Sequence, residues 1–567
     1  MCNDLFMIAG LSLQLLLSAF GGGPEGKGDS ADVVIYGGTP AGLSAAAAVV
    51  RAGKSAIVIE PTRHIGGMVT GGIAVTDTGT PQYVGGIARE YFQTVSAAEA
   101  AFRDEKREID FRGKTMPWVG PRIWNLEPKV AKRVFEQWIT NQKYKLITDR
   151  QVVKVRKSGA RILDITLSDG TEVSGKVFID ASYEGDLMAR AGVSYTYGRE
   201  SEAEYGEGMA GVRAPHFKRN YTDEEYGAPT TEYMHNGQFG ADIPARENGQ
   251  LPWGVEATPS EKIGSGDKLL QAYCYRLVAT QRKDLKRDWW RPRHYDASHY
   301  EVLLRYIQRH PHIAFGRLVH LDPVPNDKWD LNASGPFSID FVGGNRDFPE
   351  LSYEGRAEML QAHIDYEQGF FWFLAHDPRV PKPLQEEVKS WGPANDEWVD
   401  NDNWPGQIYI REARRMIGAY VMKEQDVLQD KRKEDSVGMG SFVLDSHWVR
   451  RIEDEHGYLR VEGHLDESIN LASAPYEIPY RSLTPKADEA ENLLVPVGLS
   501  ATHVAICTIR MEPVYMILGH SAGVAAVLAI ETDKSVQGVD VALLTSRLKA
   551  EGQILHKEDA VPLPKAQ

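Results

Sequence analysis

The stretch DVVIYGGTPAGLSAAAAVVRAGKSAIVIE (Asp32–Glu60) decides the fold. Asp32–Tyr36 is a short, β-branched, apolar run and predicts a buried strand. The turn Gly37-Gly38-Thr39-Pro40-Ala41-Gly42 follows, then an Ala-rich helix over Leu43–Arg51 that closes at Gly53. A second apolar run, Ser55–Ile59, ends at Glu60. Strand, glycine turn, helix and strand make a βαβ unit. Gly37 permits the tight turn, Gly42 lets the helix pack close to the strand, and backbone N–H groups at the helix start suit a pyrophosphate. Glu60 suits the two hydroxyls of a ribose. Thr39 departs from G-x-G-x-x-G, since it stands at the middle glycine and its side chain is expected to crowd the pyrophosphate.

Working outward, a glycine-dense loop runs through Gly66-Gly67, Gly71-Gly72, Gly79 and Gly85-Gly86. Pro128–Thr140 predicts an amphipathic helix, and residues 145–179 a small β region with a turn at Asp169-Gly170. Residues 200–400 are rich in Trp, Tyr, Pro, His and Arg and suggest an inserted substrate lobe. Asn492–Val497 predicts another buried strand, and Pro513–Ile530 a long helix of small apolar residues. The expected organisation is an N-terminal leader and linker over 1–30, a nucleotide-binding region over 31–199, the inserted lobe over 200–400, a return to the nucleotide-binding region over 401–535, and a C-terminal helix and tail over 536–567.

The net charge of −15 argues against nucleic acid as a partner, because neutralising phosphates needs clustered Lys and Arg. The three cysteines, Cys2, Cys274 and Cys507, match no disulfide framework and no zinc or iron–sulfur spacing. Leu5–Phe20 is apolar and short, as in a signal-peptide core, yet the preceding residues carry Asp4 and no Lys or Arg. Export to a periplasmic or extracellular space and retention in the cytoplasm both stay open. No later run reaches the roughly 18 consecutive apolar residues of a transmembrane helix, so no integral membrane segment is expected.

VVIYGGTPAGLSAAAAVVRAG followed by IEPTRHIGGMVTGGI resembles the FAD-dependent oxidoreductases of the FAD_oxidored type, two-dinucleotide-binding-domain flavoproteins in which the GGTPAG variant is usual. VFIDASYEGDLMARAG (177–192), IYIREARRMIGAYVMKEQDV (408–427), DSVGMGSFVLDSHW (435–448), YEIPYRSLTP (476–485) and residues 492–529 are similar to further family blocks. QAYCYR (271–276) and DLNASGPFSIDFVG (330–343) match more loosely. The resemblance implies an α/β, Rossmann-like FAD-binding domain of the two-dinucleotide-binding type with a mixed α+β inserted lobe. It implies FAD contacts at Gly37, Gly38, Thr39, Pro40, Ala41, Gly42, Glu60, Gly66, Gly67, Met68, Val153, Ala181, Gly498 and Gly519. The helix at 513–530 is expected to aim its positive end at the flavin N1–C2=O edge.

Four residues stand out for chemistry. His503, after the late strand, sits in a turn that the resemblance places near the flavin, where an imidazole can act as base. Asp445 and His447, two apart in LDSHW, form a second acid–base pair and would share one side of a strand. Their pairing alone lacks the further ligands a metal needs, so no metal is expected. Arg510 either holds an anionic or carbonyl substrate group or pairs with Glu512. Arg411, Glu412, Arg414 and Arg415, read as one helix, are expected to be partly buried with carboxylate partners, since their neighbours are apolar. The aromatics Trp289-Trp290, Tyr295, Tyr300 and Phe370-Phe371-Trp372 suit either a lobe core or a stacking surface for sugars. The reading is oxidation of an alcohol carbon of a small molecule or sugar by hydride transfer to the flavin, with an unidentified electron acceptor. The alternatives are a polysaccharide lyase and a carbohydrate-binding protein with a structural flavin.

Overall fold

The computed structural model describes residues 28–100, 108–111, 114–117, 124–142, 144–213, 239, 242–429, 431–465 and 475–560. The apolar N-terminal run and Cys2 lie outside the described residues, as does the end of the C-terminal tail. The main sheet has seven strands. These are β1 (Asp29–Tyr36), β2 (Ala56–Glu60), β3 (Lys145–Thr148), β4 (Val152–Ser158), β5 (Arg161–Leu167), β6 (Glu172–Asp180) and β7 (Leu493–Leu494). Their order is β3-β2-β1-β6-β5-β4, with β7 beside β6. β1 pairs in parallel with β2 (Val33↔Ala56) and with β6 (Val33↔Val177), which is the arrangement a βαβ unit produces. β4 and β5 are antiparallel and form the expected β region. The late strand is shorter than the sequence predicts: only Leu493 and Leu494 pair with β6.

Helix α1 (Pro40–Arg51) and a long helix, numbered α6 below (Glu512–Thr532), cover one face of the sheet. They run parallel. A Cβ on Gly519 would fall 2.1 Å from the Ala41 carbonyl oxygen, and one on Gly523 2.6 Å from that of Ala45. Small residues therefore let the two backbones touch. Gly519, expected as a cofactor contact, lies at this helix–helix crossing. Among the described residues, Glu512–Thr532 is the one helix long and apolar enough to cross a membrane, but 94% of its most apolar window is buried within the protein. The other helices used below are α2 (Gly67–Thr70), α3 (Pro128–Gln142), α4 (Tyr353–His376) and α5 (His503–Ile509).

The inserted stretch builds its own four-stranded antiparallel sheet, in the order 319–324, 328–333, 277–280 and 392–393, with α4 and two shorter helices. The hairpin 450–462, outside the expected 200–400 stretch, pairs with Val255–Glu256 inside it. Its aromatics are mostly core. Trp289 stacks on Phe371 at 4.0 Å, and Trp290, Tyr300 and Phe370 are buried as well. Most of the surface proposed for sugar stacking is therefore absent.

Two buried charge clusters tie the lobe to the nucleotide-binding region. Asp330 is held by Arg276 at 2.6 Å and accepts the backbone N–H groups of Ala74 and Val75 at 3.0 and 2.9 Å. Lys328, fully buried, lies 2.5 Å from Glu127 just before α3 and 2.7 Å from both Asp396 and Glu397. These three carboxylates are close enough to hold a cation, and the Lys328 ammonium sits among them. Burial pushes the Glu397 carboxyl up to about 7, with Lys328 opposing. Lys328→Met leaves Lys129 to hold Glu127 and Asp396 but strips the buried Glu397 of its ammonium, and should cost up to about 3–5 kcal/mol of stability. Denaturant titration of the purified protein checks this; an unchanged midpoint would mean the carboxylates relax by taking up protons.

Candidate functional site

The turn after β1 has the shape a dinucleotide needs. Gly37 adopts φ +107°, and a Cβ there would lie 2.6 Å from the Ala181 carbonyl carbon. A Cβ on Gly42 would lie 1.9 Å from the Gly37 oxygen, so the third glycine brings helix and turn together. Thr39 carries the side chain expected to crowd the pyrophosphate. Its buried side chain points inward, where Oγ1 donates to the Ala181 carbonyl at 2.8 Å and accepts from Gly42 N–H at 3.2 Å, capping α1. Pro40 starts the helix without sacrificing a bonded N–H. The strand–turn–helix geometry is thus kept without the middle glycine, because an N-cap hydroxyl takes up the space behind the turn.

Glu60 ends β2 beside this turn. Its Oε2 accepts Gly38 N–H at 2.8 Å, and its Oε1 accepts the Thr62 N–H and hydroxyl at 2.8 and 2.7 Å. Burial pushes the carboxyl up to about 7 against these bonds. Gly66 is left-handed (φ +88°) and donates its N–H to the Gly38 carbonyl, so the glycine-dense loop abuts the turn. On the far side, a Cβ on Gly67 would lie 2.2 Å from the Tyr183 hydroxyl, which accepts Met68 N–H at 3.0 Å. Val153 falls at the register shift between Val152 and Lys154 in β4, a bulge that takes its backbone out of the ladder. Gly498 packs on the Arg414 carbonyl, 2.8 Å from where its Cβ would be.

The four candidate chemical residues gather into two linked networks. In the first, His503 is the fully buried first residue of α5, in a helix capped by Thr502 and not in the turn the sequence suggests. Its Nδ1 lies 2.9 Å from Glu412 Oε2, which also takes Arg415 at 2.9 Å; Glu200 accepts both the His503 N–H and Arg415. Burial works against the Glu412 charge, yet His503 and Arg415 hold the carboxyl down at about 2. His503 Nε2 is buried and has no hydrogen-bond partner among the described residues.

In the second network, His447 Nδ1 lies 2.6 Å from Asp340 and its Nε2 3.8 Å from Asp445. Asp340, not Asp445, orients this ring. Although burial alone would raise it, Arg411 and His447 hold the Asp340 carboxyl well below the usual carboxylate range. Asp445 instead pairs with Arg510 at 2.6 Å, and Arg510 also donates to the Tyr409 hydroxyl at 2.5 Å. Arg510 therefore does not pair with Glu512, whose carboxyl accepts from Tyr183. Asp445 and His447 lie in an irregular segment and not on a strand, but still reach the same side. Gln271 joins the networks: its N–H donates to Glu412, its side-chain oxygen accepts His447 N–H at 3.0 Å, and its amide donates to Cys507. Asp77 is half-buried, and burial together with Asp445 pushes its carboxyl up to about 7.

The segment carrying Arg411, Glu412, Arg414 and Arg415 is not a helix. Residues 411–414 run irregularly and Arg415–Met416 pair with Tyr195–Thr196. Its expected carboxylate partners are all present: Asp340 for Arg411, Asp186 for Arg414, and Glu200 with Glu412 for Arg415. Asp340, Tyr409, Gln271 and Asp77 were not singled out by sequence reasoning. Asp340 and Gln271 lie in the loosely matching blocks, which was the one signal available for them.

The profile of the FAD dependent oxidoreductase family matches residues 32–548. The chain belongs to that family. It is therefore an FAD-dependent oxidoreductase, with FAD as its cofactor and an α/β, Rossmann-like fold. The backbone-only space at Gly37 and Gly42, the capped start of α1 and the buried Glu60 fit such a cofactor. Residues 1–31 and the last part of the tail fall outside the family match. Menaquinone reductases from two Mycobacterium tuberculosis strains, CDC 1551 / Oshkosh and ATCC 25618 / H37Rv, are each 27% identical over 276 residues. The match covers 46% of this chain and 62% of their length. Similar solved structures include CabE, an aromatic hydroxylase from angucycline biosynthesis (16% identity, 30% of this chain, 35% of that one, TM-score 0.23). Another is L-proline dehydrogenase from P. horikoshii (13% identity, 31% of this chain, 59% of that one, TM-score 0.23).

Proposed function

We propose that this FAD-dependent oxidoreductase oxidises an alcohol carbon of a small polar molecule, with His503 as the base that takes the hydroxyl proton. The observation that carries the reading is the pairing of that ring: Nδ1 is fixed on an ionised Glu412, while Nε2 is buried without a partner among the described residues. With a carboxylate as partner, Nδ1 is the donor and Nε2 the nitrogen left to accept a proton. Bound FAD supplies a two-electron acceptor for the hydride that leaves the same carbon. Arg510 and Tyr409 offer donors to a substrate oxygen, and the partly exposed carboxylates Asp445 and Asp77 accept from further hydroxyls, as a sugar or polyol would present. His447 on Asp340 is the reserve acid–base group.

Mixing the holoenzyme anaerobically with sugars, polyols and hydroxy acids tests this, since a substrate bleaches the flavin absorbance. A lyase would cleave a polysaccharide without bleaching. A second reading, a quinone as the electron acceptor, is supported by the resemblance to proteins named menaquinone reductase. Reoxidation of the reduced enzyme by a soluble naphthoquinone supports it. If no hydroxyl compound bleaches the flavin while the quinone reoxidises dithionite-reduced enzyme, the alcohol reading falls and the quinone reading stands.

The cofactor contacts proposed here are testable on their own. Glu60→Ala should lower FAD stoichiometry while the far-ultraviolet circular dichroism is retained, since it removes the acceptor proposed for the adenosine ribose. Full occupancy in that variant would overturn the assignment.

A further inference from the structure

Glu512 is the first residue of α6 and is buried, with 3% of its surface exposed. Its Oε1 accepts the Tyr183 hydroxyl at 2.6 Å, and the same hydroxyl accepts Met68 N–H. Its Oε2 is buried with no hydrogen-bond partner among the described residues. An unpaired, buried carboxyl oxygen costs free energy unless something bound to the protein satisfies it. The packing of α6 indicates where that partner lies. Gly519 touches α1 at Ala41 and Gly523 touches it at Ala45, so the helices run parallel. Glu512 precedes Gly519 by seven residues while α1 starts one residue before Ala41, so Glu512 projects past the start of α1 by about 9 Å at 1.5 Å per residue.

The direction of that projection is also defined. Sheet order places β2 on one side of β1 and β6 on the other. Glu60 ends β2, and Tyr183, Glu512's partner, follows β6. A dinucleotide with its ribose at Glu60 and its pyrophosphate at α1 must send its other half towards Tyr183 and Glu512. In FAD that half is the flavin.

We propose that Glu512 tunes the flavin: its carboxyl keeps a proton on Oε2 and donates it in a hydrogen bond to the acceptor edge of the isoalloxazine ring. The proposal rests on the cofactor placement given above. Burial pushes this carboxyl up to about 8 against the Tyr183 bond, so it is a donor at neutral pH. A neutral donor at a helix start adds to the positive end of the α6 dipole, whereas an ionised carboxylate would cancel it. The pair therefore stabilises the negative charge that a flavin gains on reduction, and makes the bound cofactor easier to reduce.

The test is the midpoint potential of FAD in the holoenzyme, measured by dye equilibration. Glu512→Leu removes the donor and should shift the two-electron equilibrium at least tenfold towards oxidised flavin, which is about 30 mV. Glu512→Gln keeps an N–H donor in the same volume and should restore the potential. Equal potentials in all three proteins would overturn the proposal. So would a Gln variant that behaves like Leu, because then volume or charge and not donation matters. If Glu512→Leu leaves the flavin's potential and visible spectrum unchanged while Glu60→Ala still lowers occupancy, the tuning role fails and the cofactor site stands. Failure of both variants to affect the flavin would remove the placement itself.

Discussion

His503→Ala should keep its FAD and its fold but reduce the flavin with substrate about 10²–10⁴-fold more slowly, the usual loss for a general base. The variant should fold because the neighbouring charges remain compensated. Glu412 keeps Arg415 and the Gln271 N–H, and Glu200 keeps Arg415. Glu412→Gln separates positioning from proton transfer. It preserves shape but removes the charge that makes Nδ1 the donor, so the pH profile of flavin reduction should move as well as its rate. The Glu412 carboxyl, held at about 2, stays ionised across the working range, so the acid limb of the wild-type profile reports another group. Stopped-flow reduction at several pH values reads both effects. If His503→Ala reduces its flavin at the wild-type rate, the base is His447, oriented by Asp340 at 2.6 Å, and Asp340→Asn should then carry the loss.

The βαβ unit was legible because every instruction for it is local. Apolar runs at Val33–Tyr36 and Ala56–Ile59, glycines at the turn and Glu60 at the strand end are read within thirty residues, and the structure places them in one parallel register. The charged run 411–415 shows where local reading stops. Its spacing suits a helix, but its partners Asp340, Asp186 and Glu200 lie far away in sequence, and those ion pairs hold it in an irregular path. His447 illustrates the same limit. Its neighbour Asp445 is the partner sequence suggests, yet Asp340, from the lobe, takes Nδ1 and leaves Asp445 to Arg510. The lobe aromatics were ambiguous for a different reason. Composition does not say which faces meet, and only packing shows that Trp289 and Phe371 stack on each other and not on a ligand.

Gly42→Val should abolish FAD binding outright and leave the protein hard to purify in folded form. The added Cβ would sit 1.9 Å from the Gly37 carbonyl oxygen, a contact with backbone that no side-chain rotation can relieve. Either the turn opens, and the N–H groups at the start of α1 lose their aim, or α1 retreats from β1. The second course is blocked, because Ala41 and Ala45 already bear on Gly519 and Gly523 of α6. The cost should therefore exceed the roughly 1–3 kcal/mol of ordinary overpacking. Gly37→Val adds a second penalty, since its backbone is at φ +107°, where a β-branched residue is strained. Gly316→Ala is the control: its Cβ would meet nothing closer than Leu321 at 3.5 Å, so stability and FAD content should match the wild type. Flavin-to-protein absorbance ratios and thermal melts of the three variants decide the matter. A Gly42→Val protein that holds a full complement of FAD would mean the turn is not where the pyrophosphate binds.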